Sequence, residues 1–396
     1  MTTYLYPFER KLIIVTVISD LVTDSRVHKI CQTLHNEGYR VLLIGSCNNQ
    51  SIVLKSRDYQ TDRLKTWFRT SALFYAEFNI RLLFRLIWEK ADIYLGNDLD
   101  IMPATMLVAK VKKKPLVYDS HEYFLGMAGM DQKPIRRSIW KFLESHVFAN
   151  LKYIYTVSDS IRNLYRKNYH KKLHVVRNLP LKNPANSDLT SDEADWIASI
   201  DKKIPKNKKL LLFQGAGINE ARGAEELVYS MLFLDGNDFH LLIIGGGDVF
   251  SKLEMMVAQN NLAEKITLIP KVPLSVLGHF TRKAQLGFSI DKPSVPNHKF
   301  SLPNKLFEYL HAGVPVLASR LFEQERIITQ YDVGDFIDDH QPEHMARKIN
   351  EIFADPEKLQ RWKHNTCRLR EELNWENESK IVLDIFKQVE KDSVNH

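Results

Sequence analysis

The chain has 396 residues, 44% of them hydrophobic and 26% charged, with a formal net charge of +7. That length exceeds what one core usually organises, so two domains are expected, and no low-complexity segment or internal repeat is present. The excess of cations favours anionic partners, leaving nucleotide, nucleic acid and anionic membrane open on charge alone, while three scattered cysteines, Cys31, Cys47 and Cys367, exclude a zinc spacing and suit a reducing compartment.

Residues 11–19 read as a buried first strand rather than a signal peptide, and no run approaches the roughly 18 apolar residues of a membrane span. Residues 25–37 read as a helix with Val27, Ile30 and Leu34 inward and Gly38 as its stop. Residues 41–45 form the next strand, which completes the strand–helix–strand unit of a parallel sheet. Further strands are expected over 91–98, 114–122, 152–158 and 172–178. A second series covers 210–217, 240–248, 265–270, 286–291 and 314–319, followed by a helical region near 356–392. The reading is α/β: a first domain over 1–180, a linker over 181–208, a second domain over 209–375, and a terminal helix over 376–396 packing back on the first domain. Both domains are doubly wound, so ligands are expected at the carboxyl ends of their strands, in a cleft between the two.

The most informative stretch is SLPNKLFEYLHAGVPVL, residues 301–317. Ser301 is a candidate N-cap and Pro303 suits a first helical turn, where its missing N–H costs nothing. Leu306, Phe307 and Leu310 form an apolar face, and Gly313 can end the helix. A helix start gathers free N–H groups and partial positive charge, which suits a phosphate; Glu308, just beyond, could hold sugar hydroxyls. The plainer reading of Glu308 is a surface acid compensating the helix dipole. Lys305 adds a candidate phosphate cation or a solvated lysine.

Other strand ends carry similar chemistry. In GAGINEARG (215–223), Gly215 and Gly217 let backbone N–H groups approach an anion, and Arg222 can neutralise a diphosphate; the alternative is a tight turn with a solvated arginine. GGGD (245–248) offers another close-approach loop, although neither loop spells a dinucleotide fingerprint. In the first domain, His121 of YDSHEYF (118–124) ends a strand, either contacting the transferred group or serving as a hydrogen-bonded structural histidine. Asp24 and Arg26 open the first helix, as acceptor contacts or as a capping acid and a surface cation. Asp98-Leu99-Asp100 is formally D-x-D, but helix capping suits a strand end better than a metal. No P-loop, hydrolase elbow or zinc cluster is present.

Two segments mix aromatic and basic residues. One runs over 63–89, with Trp67, Phe84 and Trp88 beside Arg81 and Arg85; the other over 135–152, with Trp140 and Phe142 beside Arg136 and Lys141. Such helices lie on anionic membranes, or pack their aromatics into a core.

The order of DSRVHKICQTLHNEGYRVLLIG (24–45), YDSHEYF, TVSDSIRNLY (156–165), VVRNLP (175–180), GAGINEARG, LLIIGGGD (241–248) and LPNKLFEYLHAGVPVLAS (302–319) resembles the GT-B glycosyltransferases, in particular the retaining, nucleotide-sugar-dependent enzymes of family 4. The resemblance runs from about residue 11 to residue 385. It implies two Rossmann-like domains facing a central cleft and a donor diphosphate bound by Arg222 with support from Lys305. It further implies a ribose held by Glu308, a base near the backbone of Val272, and His121 near the donor sugar. It implies no cofactor, no metal and no nucleic-acid partner. The expected acceptor is a lipid-linked or cell-surface glycan, reached from the cytoplasm at the inner face of a membrane. One position departs from the family. The first glutamate of its E-x₇-E motif would stand eight residues before Glu308, where this chain has Phe300, so the nucleotide half of the site is more legible than the sugar half. A sugar-nucleotide epimerase of the same architecture and a non-catalytic nucleotide-sugar or glycan-binding protein are the competing readings.

Overall fold

The computed structural model describes residues 10–394, apart from 128, 131, 184–188 and 295. The chain divides into two compact units, residues 1–178 with 378–396, and residues 179–377.

The first unit runs β1 (Leu12–Thr16), α1 (Ser25–Asn36), β2 (Arg40–Cys47), β3 (Gln60–Lys65), α2 (Ser71–Ile87), β4 (Ile93–Asn97), α3 (Met102–Val111), β5 (Leu116–Ser120), α4 (Pro134–Asn150), β6 (Tyr153–Thr156), α5 (Asp159–Tyr169) and β7 (His174–Val175). Its seven strands lie in the order β3-β2-β1-β4-β5-β6-β7, all parallel. Strands β1, β4 and β5 are buried at every position, because a parallel sheet is covered on both faces. β3 was not expected from sequence. QTDRLK is polar and half exposed, as a strand that ends a sheet is permitted to be.

The second unit runs α6 (Ser191–Asp201), β8 (Lys209–Gly215), α7 (Ala224–Ser230), β9 (Phe239–Gly245), α8 (Phe250–Gln259), β10 (Ile266–Ile269), α9 (Leu274–Lys283), β11 (Leu286–Ser289), α10 (Pro296–Phe300), α11 (Asn304–His311), β12 (Val316–Ser319), α12 (Phe322–Tyr331), β13 (Gly334–Ile337), α13 (Pro342–Ala354) and α14 (Pro356–Glu372). Its strand order is β10-β9-β8-β11-β12-β13, again all parallel. Alternate residues of β8 serve opposite faces: Leu211 and Phe213 join one core cluster, Leu210 and Leu212 the other.

One boundary differs from expectation. The stretch 181–208 is not a bare linker, since it contains α6, opened by a capping box between Thr190 and Glu193 and buried through Ile197 and Ile200. The terminal helical region breaks at Leu373-Asn374 into α14 and α15 (Trp375–Val394), where the Asn374 side chain accepts from the Asn377 N–H at 3.0 Å. From Glu378 onward α15 packs in the first unit: the Phe386 and Tyr39 rings lie 6.3 Å apart, and Lys387 pairs with Glu37 at 2.8 Å.

In each sheet the chain reverses direction once, between β1 and β4 and between β8 and β11. Such switch points open a crevice at the carboxyl ends of the strands. The residues that follow β1, β4, β8 and β11 are therefore the ones positioned for chemistry.

Candidate functional site

In the second unit, β8 leads into a loop that closes on α7. Ala221 (φ 64°) and Gly223 (φ 80°) both take left-handed backbone. A Cβ on Gly223 would sit 2.5 Å from the Ile290 carbonyl oxygen, and the Lys292 N–H donates to the Ala221 carbonyl at 2.8 Å. The loop after β8 is thus laid directly on the segment after β11. That contact delivers Arg222 to Asp291, with Nη1 to Oδ2 at 2.7 Å.

Asp291 is fully buried and holds a second cation, Lys305, at 3.1 Å through its other oxygen. Burial alone would raise the Asp291 pKa, but Lys305, Arg222 and His298 outweigh it and hold the carboxyl below its usual range. Burial pulls the Lys305 ammonium down, opposed by Asp291. The ammonium also lies 4.7 Å from the centre of the Phe213 ring. Burial and Arg222 lower His298, leaving it neutral near pH 7. One turn beyond Lys305 on α11, Glu308 accepts from Gln214 Nε2 at 2.6 Å. The other end of that amide accepts from Thr281 at 2.8 Å, so the Glu308 carboxylate is oriented from β8. Sequence reasoning brought Arg222, Lys305 and Glu308 forward, and the fold gathers them. It missed Asp291 and Gln214, which lie inside apolar strand runs and become legible only as strand-end polar residues facing a known cation or acid.

The start of α11 differs from expectation. Ser301 is not its N-cap; its hydroxyl donates to the His298 carbonyl at 3.2 Å. The helix opens at Asn304 with Pro303 in the capping position. Proline holds the residue before it out of helical backbone, so the start moves past the Leu302-Pro303 pair. Gly313 (φ 79°) does end the helix. Phe300, the departure from the family motif, closes α10.

The two glycine loops also have a local role that sequence did not show. A Cβ on Gly245 would lie 1.9 Å from the Gly215 oxygen, and one on Gly247 2.3 Å from the Ile218 oxygen. The Ile218 N–H donates to the Gly246 carbonyl at 2.8 Å. Gly245 and Gly247 thus let the loops pack on each other, whereas a Cβ on Gly215 or Gly217 would meet only ordinary contacts. Val272 follows β10, partly buried against the core, beside Lys271, whose stem lies 3.2 Å from a Cβ built on Gly246.

In the first unit, Asp24, Arg26 and His121 come together at the β1–β4 switch point. Asp24 caps α1, accepting from the Val27 N–H at 3.1 Å and the Ser19 hydroxyl at 2.8 Å. Arg26 is neither a surface cation nor positioned to contact an acceptor directly. It is 4% exposed and spends its guanidinium on both oxygens of Asp119, at 2.9 and 2.7 Å, and on the Val176 carbonyl at 2.9 Å. Asp119, despite complete burial, lies below the usual carboxylate range because Arg26 and His121 outweigh desolvation. His121 sits between two acids: Nε2 is 3.1 Å from Asp119 and Nδ1 is 3.3 Å from Asp98. Burial lowers its pKa, but Asp98 and Asp119 prevail and push it up to about 9, so it is an imidazolium at neutral pH. Asp98 (φ 65°) also accepts the His121 N–H at 2.9 Å. Of the D-x-D acids, Asp98 is accordingly occupied in this network, while Asp100 is buried beside it with its Oδ1 unpartnered among the described residues. Among the described residues no group of three His, Cys, Asp or Glu side chains is arranged to hold a metal ion, and no helix is long and apolar enough to cross a membrane.

Two family models match successive parts of the chain: Glycosyltransferase Family 4 over residues 24–179 and Glycosyl transferases group 1 over residues 195–368. An uncharacterized glycosyltransferase of Methanocaldococcus jannaschii is 23% identical over 270 residues, which is 68% of each chain. Among solved structures, sucrose-phosphate synthase of Thermosynechococcus elongatus aligns with a TM-score of 0.78 at 15% identity, covering 97% of this chain and all of that one. Anabaena HepE in complex with UDP-glucose aligns with a TM-score of 0.70 at 10% identity, with 97% and 100% covered. The chain belongs to the glycosyltransferases of the GT-B fold.

Proposed function

We propose that this glycosyltransferase takes its sugar from a nucleoside diphosphate donor and passes it, with retention and without metal, to a lipid-linked or cell-surface glycan. The observation that carries the donor reading is the Arg222–Asp291–Lys305 cluster at the β8–β11 switch point, with Glu308 one turn away. Two cations held by one buried carboxylate form a preorganised receptor for a diphosphate, strongest where water is excluded. The backbone N–H groups around Gly215 and Gly217 add donors. Glu308, oriented by Gln214, takes the ribose hydroxyls, and the base lies against Val272. The UDP-glucose complex of HepE supports a nucleotide sugar as donor class.

In the transfer, the bond from the anomeric carbon to the β-phosphate oxygen breaks. The new bond forms to an acceptor hydroxyl, whose proton leaves with the released diphosphate. Arg222 and Lys305 take up the charge that develops on that leaving group. His121, an imidazolium in the first unit, is the group we assign to the donor sugar, and Asp24 lies on the acceptor side. The working place is the cytoplasm, at the inner face of a membrane.

Purified protein screened against UDP- and GDP-sugars, by calorimetry and by nucleotide release with and without a membrane extract, tests the reading. One donor should bind and turn over only with acceptor. Product from donor alone would indicate an epimerase. Parent-level turnover in both Glu308→Ala and Arg222→Ala would remove the site assignment.

A further inference from the structure

Helices α2, α3 and α4 leave a row of large apolar side chains in water. On α2 Ile80 and Phe84 are exposed, as is Trp88 at its C-terminal cap, at 83%; on α3, Leu107 and Val111; on α4, Ile135, Ile139 and Phe142, Phe142 at 74%. Spacings of four and three or seven residues set each group along one side of its helix. The three helices are neighbours. α2 packs on α3, and the Tyr75 ring of α2 meets Trp140 of α4 edge-on at 5.6 Å. Right-handed crossovers running from β3 towards β6 lay all three on the same face of the sheet, with their outer sides turned to solvent. Scattered exposed leucines need no explanation, but outward-facing apolar rows on three helices that adjoin through α2 are the kind of surface that docks.

Charge selects the occupant. Lys110, Lys113, Lys133, Arg136 and Lys141 are exposed on or beside α3 and α4, and none pairs with a carboxylate among the described residues. The acids within these helices are withdrawn: Glu77 pairs with Arg81 at 2.8 Å, and Glu144 is 1% exposed. A second copy of the same face would oppose cation to cation, which disfavours a symmetric dimer. An apolar sheet of side chains rimmed by unpaired cations fits a negatively charged bilayer, where aromatic rings settle at headgroup depth.

We propose that the α2–α3–α4 face of the first unit docks on an anionic lipid bilayer. The inference builds on the membrane-surface reading above and specifies which side chains touch lipid. Arg81 and Arg85, basic residues of the 63–89 segment, are not the ones. Arg81 is paired with Glu77 and lies 4.8 Å over the Trp67 ring, and Arg85 is paired with Asp62 and Glu89. The docking cations are those of α3 and α4.

Flotation of the full chain with vesicles of phosphatidylcholine alone, and of equal parts phosphatidylcholine and phosphatidylglycerol, is the test. Strong recruitment to the anionic vesicles at low salt, falling as salt rises, is expected. Arg136→Glu with Lys141→Glu should cut that partitioning by about tenfold or more, at roughly one decade or less per cation near an anionic surface. Phe84→Ser with Phe142→Ser should weaken it independently of salt. Both pairs replace exposed side chains, and an unchanged first-unit transition in the thermal melt of each variant shows that it remains folded. No recruitment at low salt, parent-like binding by both variants, or a solution dimer that the same substitutions abolish would overturn the proposal. Failure of the parent to bind any nucleotide would remove the donor reading and leave this one standing.

Discussion

Asp291 is the residue on which the donor site turns. It is fully buried and pairs with two cations, so removing it leaves two charges without their carboxylate. Loss of one member of a buried ion pair costs about 3–5 kcal/mol, and Asp291→Ala should fall in that range by chemical denaturation. If Arg222 and Lys305 are the phosphate ligands, UDP supplies the missing negative charge, and its stabilising effect should be larger in the variant than in the parent. Equal UDP-induced shifts would separate the cluster from the nucleotide site. In the first unit His121 makes a sharper statement about pH. Its folded pKa, about 9, lies above the ordinary value of 6.5 because of Asp98 and Asp119. The stabilisation it contributes is complete below pH 6.5 and is lost as pH rises through about 9. A proton NMR titration should find that midpoint in the free protein, and Asp98→Asn should lower it. A midpoint near 6.5 in the parent would mean that the two acids do not face the ring. Arg222, Lys305, Glu308 and His121 were legible in the chain because a cation or a histidine after a strand, and a cation or an acid just past a helix start, are conspicuous. Asp291 and Gln214 were not, since Arg222 reaches the first from 69 residues away and Glu308 the second from 94.

Among the elements, the paired glycine loops show why periodicity alone undercounts constraint. Gly245 has φ 154° and no room for a Cβ, so Gly245→Ala should cost more than about 2 kcal/mol and weaken nucleotide binding together, because it displaces the Gly215 loop. Gly217→Ala, whose Cβ would meet only Asn219 at 3.4 Å, should be nearly silent in stability. Matched thermal melts separate the two. α4 carries a different tension. Glu144 is buried against α5, with Tyr169 donating to one oxygen at 2.5 Å and the other oxygen unpartnered among the described residues. Burial raises its pKa to about 7 against the hydrogen bond from Tyr169. A raised acid stabilises the fold only while protonated, so this contribution declines from about pH 4.5 to pH 7 and stays low above. Glu144→Gln should flatten that slope and gain up to about 3 kcal/mol at pH 8. An unchanged pH profile would place the carboxyl in contact with water. The strands β3 and β13 were unread because QTDRLK is polar and GDFI opens on a glycine and an aspartate, leaving no apolar run.

On the scale of the whole molecule, the chain leaves the first unit at residue 178 and re-enters it at 378. The returning end of α15 buries Val382, Ile385, Phe386 and Val389, and Glu378 binds both the backbone N–H and the Nε of Arg177, at 2.7 and 2.9 Å. Deleting residues 378–396 should therefore destabilise the first unit while UDP binding, assigned to the second, persists. Calorimetry with and without UDP reads both at once, and loss of UDP binding with an unchanged first-unit transition would reverse the assignment.

The repeated strand–helix alternation, the second-domain motif and most cationic ligands were determined by the chain itself, because parallel strands are long apolar runs and glycine and proline mark their ends. Tertiary structure decided what each polar side chain does. Asp291 and Gln214 acquire roles only when β8 lies beside β11 and α11. Arg26 changes from a candidate acceptor contact to the buried partner of Asp119. Arg81 and Arg85 prove to be paired, whereas exposed cations of α3 and α4 such as Lys110, Arg136 and Lys141 have no ion pair among the described residues. The reason is common to all of them: a charge is worth little until burial removes water and geometry supplies its counter-charge, and both are properties of the packed fold.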